Sequence, residues 1–555
     1  MNVTFNDLAE YIFPDVKETI EDLEKRFPKR NLGEGALVVR FAPSPTGFLH
    51  LGSLFTSLIN SKIAKDTKGV FYVRLEDTDT KREISGSAKE LIDQLSYFDI
   101  IPDEGYLGDK EKGNYGPYQQ SHRADIYKIC IKELMKQGRA YPCFCTSKEL
   151  EEIREVQEAN KEIPGYYGGY AVYRNTTPEE ALEKIKAGTP YVIRFRSLGN
   201  HLNKIVIHDL IRGDIAIAEN DLDVVIMKSD GLPTYHFAHA VDDHFMRTTT
   251  VIRGEEWIAS APIHVDLFNA LGFPLVDYAH LPVIMKLDNG NKRKLSKRKD
   301  PEASVALFIE KGFPKEALEA YLMSIANSNF EEWTTENKTF DISKFPFSFE
   351  KMSLDGVLFD QDKLNYFSKE IIASWKAEEV YERLLEWSKE FDKVLYEHIK
   401  DTKEFSTAIL NIERGGEKAR KDFTSYSDVY PAIKFFFNDE YENIVKDGYP
   451  FNDFMEPGLI KEVLVDFMES NDYSLPNDLW FNTVKELGVR HKFAESNKVF
   501  KQNKDAYNGH VGDVAEMIRV AVTGSKNSPN LHSVLTILGK EEVNRRINKA
   551  IENLK

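Results

Sequence analysis

Between Ala36 and Phe98 the chain alternates short β-branched runs with helical ones, and this order restricts the fold more than any other feature. Ala36 to Phe41 (ALVVRF) reads as a buried strand from its brevity and β-branched content. Pro43 to Gly47 (PSPTG) is a loop, because two prolines and a glycine in five residues cannot propagate a helix or a ladder. Leu54 to Lys65 has the spacing of an amphipathic helix, Val70 to Leu75 is the next strand, and Ile84 to Phe98 the next helix. Strand, helix and strand in this order predict a parallel α/β sheet.

The rest of the chain does not continue that order. Leu8, Ile12, Val16, Ile20 and Leu23 fall at roughly helical spacing before Pro28, so residues 1–34 predict a short helical extension packed on the body. Strands at 191–196, 205–207 and 214–218, mixed with helices, predict an inserted domain. The α/β pattern resumes at Val224 to Met227 and near Thr250 to Ile252. Beyond about residue 302 the pattern is helical, as in Pro314 to Ala326, Ala377 to Phe391 and Leu459 to Glu469. A chain of 555 residues, 42% apolar, is long enough for three or more domains. No apolar run approaches the ~20 residues of a membrane span. The acidic N-terminal segment resembles neither a signal peptide nor a transit peptide. Three cysteines make no disulfide framework, and the compartment expected is the reducing cytoplasm.

A net charge of −17 argues on average against nucleic-acid partners, since phosphates attract Lys and Arg. The average hides local contrast: Asn291 to Lys299 (NKRKLSKRK) holds six Lys or Arg in nine residues. Two elements suit a nucleotide. His50-Leu51-Gly52-Ser53 lies where a loop meets a helix N-terminus, whose unpaired N–H groups and dipole favour phosphate. Gly52 lets a flat ring approach the backbone, and His50 can donate to a phosphate oxygen. Lys294-Leu295-Ser296-Lys297-Arg298, expected as a loop after Gly290, places two cations where charge builds on a reacting phosphate. No Walker-type phosphate loop is present. Each element alone is a weak signal.

Together, and in this order, they resemble the two ATP-binding signatures of class I aminoacyl-tRNA synthetases. Further motifs narrow the resemblance to the bacterial-type glutamyl-tRNA synthetase family: Arg40 to Gly47 (RFAPSPTG), Arg74 to Asp79 (RLEDTD), Tyr115 to Ser121 (YGPYQQS) and Pro233 to Ala238 (PTYHFA) with Asp242-Asp243-His244. Arg253 to Trp257 (RGEEW), Arg519 to Gly524 (RVAVTG) and Leu538 to Glu542 (LGKEE) continue it. The resemblance runs from about residue 35 to 555. It implies an α/β Rossmann-type catalytic domain in two halves, 35–121 and 223–285, around an inserted α+β acceptor-stem-binding domain, 122–222. It further implies a stem-contact domain with the KLSKR segment, 286–375, and an all-α anticodon-binding domain, 376–555, with 1–34 as the extension.

The activity implied is ATP-dependent formation of glutamyl-adenylate and transfer of glutamate to the 3′ adenosine of tRNA-Glu, with tRNA-Gln open as a second acceptor. His50, Lys294 and Lys297 take the catalytic places. Ser44, His50, Gly52, Ser53, Lys294, Ser296 and Lys297 bind ATP, which arrives with Mg²⁺. Arg40 and Arg253 suit the substrate carboxylates because a guanidinium matches them in bidentate fashion and stays charged. The resemblance adds Ser44, Glu76, Tyr235 and Trp257, with His239 standing where many members carry Asn. The expected assembly is a monomer.

Cys143-Phe144-Cys145 begins a zinc site in some relatives, but the stretch that completes it there reads Tyr166-Tyr167-Gly168-Gly169-Tyr170 here. Four ligands are needed, so no zinc is expected, and a small aromatic core takes its place. Arg414, Lys418, Arg420 and Lys421 form a basic patch expected on a helix. Glutaminyl-tRNA synthetases, the nearest rivals, usually show other residues at Pro43 to Gly47 and Glu76 to Asp79. Small-molecule nucleotidylyltransferases lack the long helical tail.

Overall fold

The computed structural model describes residues 3–45, 47–79, 84–296, 299–415 and 419–554. Two compact units emerge. One runs from the N-terminus to Phe308 and includes Glu319–Asp360; the other combines Ile309–Leu318 with Gln361–Lys555.

In the first unit, α1 (Phe5–Ile12) and α2 (Ile20–Arg26) form the extension, each started by a capping box, Thr4 with Asp7 and Thr19 with Asp22. The expected single helical region is thus two helices, with Pro14 and Val16 between them. Leu8, Ala9, Phe13, Leu23 and Phe27 are buried in the main core. Arg30 clamps Glu104 with two hydrogen bonds of 2.8 and 3.0 Å and lies 3.9 Å over the Tyr115 ring.

The expected strand–helix order follows as β1 (Val38–Phe41), α3 (Leu51–Thr67), β2 (Val70–Val73), α4 (Ser87–Tyr97) and β3 (Glu104–Tyr106). β1, β2 and β3 are parallel, in register Val38↔Val70 and Tyr72↔Glu104, with β4 (Glu111–Lys112) antiparallel at the edge. Contrary to the amphipathic reading, α3 is buried around most of its surface, Ser57, Asn60, Ser61 and Lys62 included. Ser57 Oγ and Asn60 Nδ2 donate back to carbonyls four residues earlier, both at 2.8 Å, so these two donors enter the core satisfied, while among the described residues Asn60 Oδ1 has no partner.

After α5 (Ala124–Lys136), an antiparallel sheet is built from β5 (Ala140–Cys143) and β6 (Val192–Phe195), with α6 (Ser147–Ala159) and α7 (Pro178–Lys186) between them. Next come the hairpin β7 (Lys204–Asp209) and β8 (Gly213–Ala218), then β9 (Val225–Met227). The strand expected to resume the parallel sheet, β9, instead pairs antiparallel with β6. After α8 (Tyr235–Phe245), the parallel pattern returns with β10 (Thr250–Gly254), α9 (Ala261–Leu271) and β11 (Asp277–Leu281), in register Thr250↔Asp277. β11 also meets β7 through Tyr278↔Asp209. Thr249 donates its N–H to Val38 O (3.0 Å) and accepts from Val38 N–H (2.9 Å), which sets the start of β10 beside β1. β1 and β10 belong to two adjacent sheets, and their C-terminal ends bring Arg40 and Arg253 together, at the strand ends where α/β folds place ligands.

The basic segment begins as a strand: its residues up to Lys294 form one arm of a hairpin, Leu295 and Ser296 follow outside any strand, and Lys297 and Arg298 lie outside the described residues. β12 (Ile284–Asp288) and β13 (Asn291–Lys294) turn at Asn289 and Gly290, both with positive φ, as a two-residue turn of this twist demands.

The second unit is helical apart from a pair of two-residue strands. Ala377–Phe391 and Pro457–Ser470 form where expected. Its apolar residues gather in two clusters, one around Trp387, Leu384 and Phe436, the other around Trp480, Phe493 and Ile518. The segment bearing Arg414, Arg420 and Lys421 is not helical; Lys418 lies outside the described residues. Arg414 instead caps carbonyls of Leu410 and Ile372, at 2.8 and 2.6 Å. No helix among the described residues is long and apolar enough to cross a membrane.

Candidate active site

A cavity of about 630 Å³ opens where these strand ends meet. Arg40, Ser44, His50, Gly52, Ser53, Glu76, Tyr235, Arg253, Trp257 and Lys294 all line it. Ser296 and His239 do not, and Lys297 lies outside the described residues.

One wall begins at β1. Arg40 is 3% exposed, and its Nε lies 3.3 Å from Asp243 Oδ1. Asp243, fully buried on α8, also accepts from Arg74 Nη1 at 2.6 Å. The two guanidiniums hold its carboxyl well below the usual carboxylate range despite its burial. Arg74 reaches Glu76 Oε1 at 3.0 Å, and Glu76 N–H donates to Pro43 O at 2.9 Å, tying the end of the second strand to the loop that carries Ser44. Burial raises the Glu76 carboxyl above its ordinary value, although Arg74 and Arg40 oppose this. Such a group gains from a cationic ligand, which would restore its charge.

His50 is the N-cap of α3. Its Nδ1 accepts from Ser53 N–H (3.2 Å), which leaves the proton on Nε2, 2.7 Å from Ser53 Oγ. A Cβ on Gly52 would stand 3.1 Å from the imidazole, so glycine makes room for the folded-back ring. Across the opening, Lys294 Nζ pairs with Glu256 Oε1 at 2.5 Å. Asp300 organises the strand behind it, accepting from both Arg293 terminal nitrogens (2.6 and 2.8 Å) and from Ser296 N–H (2.8 Å).

The opposite wall pairs Tyr235 with Trp257, ring centroids 4.3 Å apart. Arg253 stands beside it, 4% exposed, donating through Nε to His280 Nε2 (3.1 Å) with Nη2 3.3 Å from His264 Nδ1. Its buried Nη1 has no hydrogen-bond partner. His239 sits one layer behind, stacked on Tyr235 at 6.1 Å, with Nδ1 2.7 Å from Asp243 Oδ2. Burial pushes its pKa down to about 3.

Sequence reasoning gave no site role to Asp243, Arg74, His264, His280, Asp209, Glu256 or Asp300, although Arg74, Asp243 and Glu256 fall within the motifs it matched. Asp243 left one signal: two adjacent aspartates inside an apolar helical pattern call for buried counter-charges. Elsewhere in the unit, Cys143 and Cys145 donate to the Tyr166 hydroxyl at 3.4 and 3.6 Å, within a small core that includes Tyr141 and Ala171. Two thiols are half the donors of a structural zinc site, and a phenol that also accepts from Tyr173 N–H (3.0 Å) stands between them.

Comparison with known proteins agrees with this geometry. The family described as tRNA synthetases class I (E and Q), catalytic domain, matches residues 36–365, and an anticodon binding domain matches 492–551. A glutamate–tRNA ligase of Clostridium perfringens (strain 13 / Type A) is 45% identical, aligned over 98% of this chain and 100% of its own length. One from Clostridium beijerinckii is 46% identical over 99% of each. The crystal structure of a glutamate tRNA ligase from Elizabethkingia meningosepticum in complex with its amino acid superposes with a TM-score of 0.74 at 31% identity, covering 94% of this chain and 100% of that one. Since the match to the catalytic family takes in every strand that lines the cavity, and the relatives align from end to end, the chain belongs to the class I tRNA synthetases of the E and Q group.

Proposed function

We propose that the protein is a glutamate–tRNA ligase whose chemistry takes place in the cavity between Arg40 and Lys294. The observation that carries this reading is one pocket with arginines on its wall, one of them with no carboxylate partner among the described residues, and the His50 and Lys294 elements at its mouth. Glutamate enters with its carboxylates toward Arg40 and Arg253, its ammonium toward Glu76, and its chain against Tyr235 and Trp257. ATP lies along Ser44, Gly52 and Ser53 at the start of α3, where the helix dipole favours phosphate. His50 turns from Ser53 to a phosphate oxygen. Lys294 and Lys297, with Ser296 beside them, supply the charge that the transition state needs at the α-phosphate. The glutamate α-carboxylate attacks that phosphorus, releasing pyrophosphate. A ribose hydroxyl of the terminal tRNA adenosine then attacks the activated carbonyl and releases AMP. No side-chain nucleophile takes part; positioning and charge stabilisation carry the reaction.

In this reading Mg²⁺ travels with the triphosphate, held by phosphates and water. Cys143 and Cys145 hold no zinc, because Tyr166 fills the space between them. Residues 122–222 take the acceptor stem, 286–375 the stem below it, and 376–555 the anticodon. The enzyme works as a monomer in the cytoplasm. The test is charging of purified tRNA-Glu and tRNA-Gln with labelled glutamate, in parallel. Glutamate on tRNA-Glu supports the reading, and glutamate on both defines a non-discriminating enzyme. Glutamine charged in its place would refute it.

A further inference from the structure

Arg253 differs from its neighbour Arg40 in one respect: among the described residues no carboxylate is its partner, whereas Arg40 is paired with Asp243. A buried guanidinium without an anion is costly. Its hydrogen-bond partners instead are two fully buried imidazoles and the Trp257 carbonyl, 3.5 Å away, and it lies 4.9 Å over the Tyr278 ring and 6.0 Å from that of Trp257. Arginine only donates, so both imidazole atoms facing it must be bare acceptors, and this sets every proton in the chain. His280 Nε2 accepts from Arg253; its Nδ1 therefore carries the hydrogen and donates to Asp209 Oδ2 at 2.7 Å. Asp209 Oδ2 also accepts from His280 N–H (3.0 Å), and its Oδ1 from Ile211 and Arg212 N–H (both 2.9 Å), which fixes it in turn. His264 Nδ1 accepts from Arg253; its Nε2–H is left to donate to His236 Nδ1, 3.0 Å away. Both imidazoles are thus neutral, and Arg253 is held at Nε and Nη2 over the Tyr278 ring, with no anion paired to it among the described residues and Nη1 spare.

We propose that His264 and His280, the latter oriented by Asp209, are positioning residues that aim Arg253 at the substrate carboxylate without cancelling its charge. A carboxylate in either place would hold the guanidinium equally well but neutralise it, and the pocket would lose its reason to prefer an anionic side chain to the neutral amide of glutamine. This rests on the reading of the cavity as the glutamate site.

The test uses the full-length enzyme with tRNA and separates the KM for glutamate, the KM for ATP and kcat. Asn at 264 and Gln at 280 place an amide oxygen near the lost imidazole acceptor, whereas Leu removes it. His264→Leu and His280→Leu are expected to raise the KM for glutamate at least about tenfold, the scale of a hydrogen bond to a charged group, with the KM for ATP unchanged. His264→Asn and His280→Gln recover most of that loss. His280→Glu weakens glutamate and narrows its advantage over glutamine, measured as the ratio of their kcat/KM values. Leu variants with an unchanged KM for glutamate would overturn the proposal. So would parallel losses for glutamate and ATP with a lowered Tm, or no rescue by the amides, since each marks a merely structural role. If the wild-type enzyme itself does not charge glutamate, the function assigned to the cavity fails, and that result is distinct from any of these.

Discussion

Asp243 is the residue on which the site's electrostatics turn, because one carboxylate answers two buried guanidiniums. Asp243→Asn takes from Arg40 its carboxylate partner and leaves Arg74 with Glu76 and Asp242, and a loss of about 3–5 kcal/mol in unfolding free energy is expected in denaturant titration. The histidines carry a second expectation. Burial lowers the pKa values of His236, His264 and His280 below the ordinary 6.5, and takes His239 to about 3. Unfolded, these rings take up protons near pH 6.5; folded, they resist. Stability present above pH 6.5 is therefore lost as pH falls from there toward the folded values, by up to about 1.4 kcal/mol per pH unit for each ring. A Tm series from pH 7.5 to 5 should decline, and His239→Asn should flatten the decline. At this scale legibility followed chain proximity. Arg40, Glu76, Tyr235, Arg253 and Trp257 sit in short motifs that a reader can match. His280 contacts Asp209 from 71 residues away, and nothing in either neighbourhood announces the pair.

At the scale of elements, strand and helix positions were readable wherever a β-branched run or a 3.6-residue period stood between turn residues, as in β1, β2 and Ala377–Phe391. Pairing was not. β9 has the composition of a strand in a parallel sheet but joins an antiparallel one, because composition reports burial and not the identity of the neighbouring strand. The basic segment shows the same limit: the loop expected at Lys294–Arg298 holds for Leu295 and Ser296, while Asn289 and Gly290, the turn residues of a tight hairpin, place Lys294 at the end of a strand. There Lys294 is shared between Glu256 and any phosphate that approaches. Glu256→Gln removes the competitor, and the KM for ATP is expected to fall about two- to fivefold, the scale of an exposed ion pair. A higher KM would mean that Glu256 aligns the lysine rather than competing for it.

For the whole molecule, the units do not divide at one point in the sequence. Ile309–Leu318 belongs with the C-terminal helices although residues 319–360 return to the first unit. Within the second unit Trp387 Nε1 donates to Ile309 O (3.1 Å) and Tyr426 N–H to Gly312 O (2.9 Å). Gly312 has φ +75°, and a Cβ there would fall 2.7 Å from Tyr426 Cβ. Gly312→Ala is expected to destabilise the unit by about 1–3 kcal/mol, read as an earlier unfolding transition in urea by circular dichroism. The sequence placed this strap in a helical stretch but carried no sign of its allegiance, since the apolar residues that decide it are spread over more than a hundred positions. Arg253, with no anion paired to it among the described residues, has a consequence for how the enzyme is handled. Chloride and acetate are small anions with the charge that such a pocket suits, so if glutamate binds there these salts are expected to raise its KM and leave that for ATP unchanged, which a titration of each salt checks.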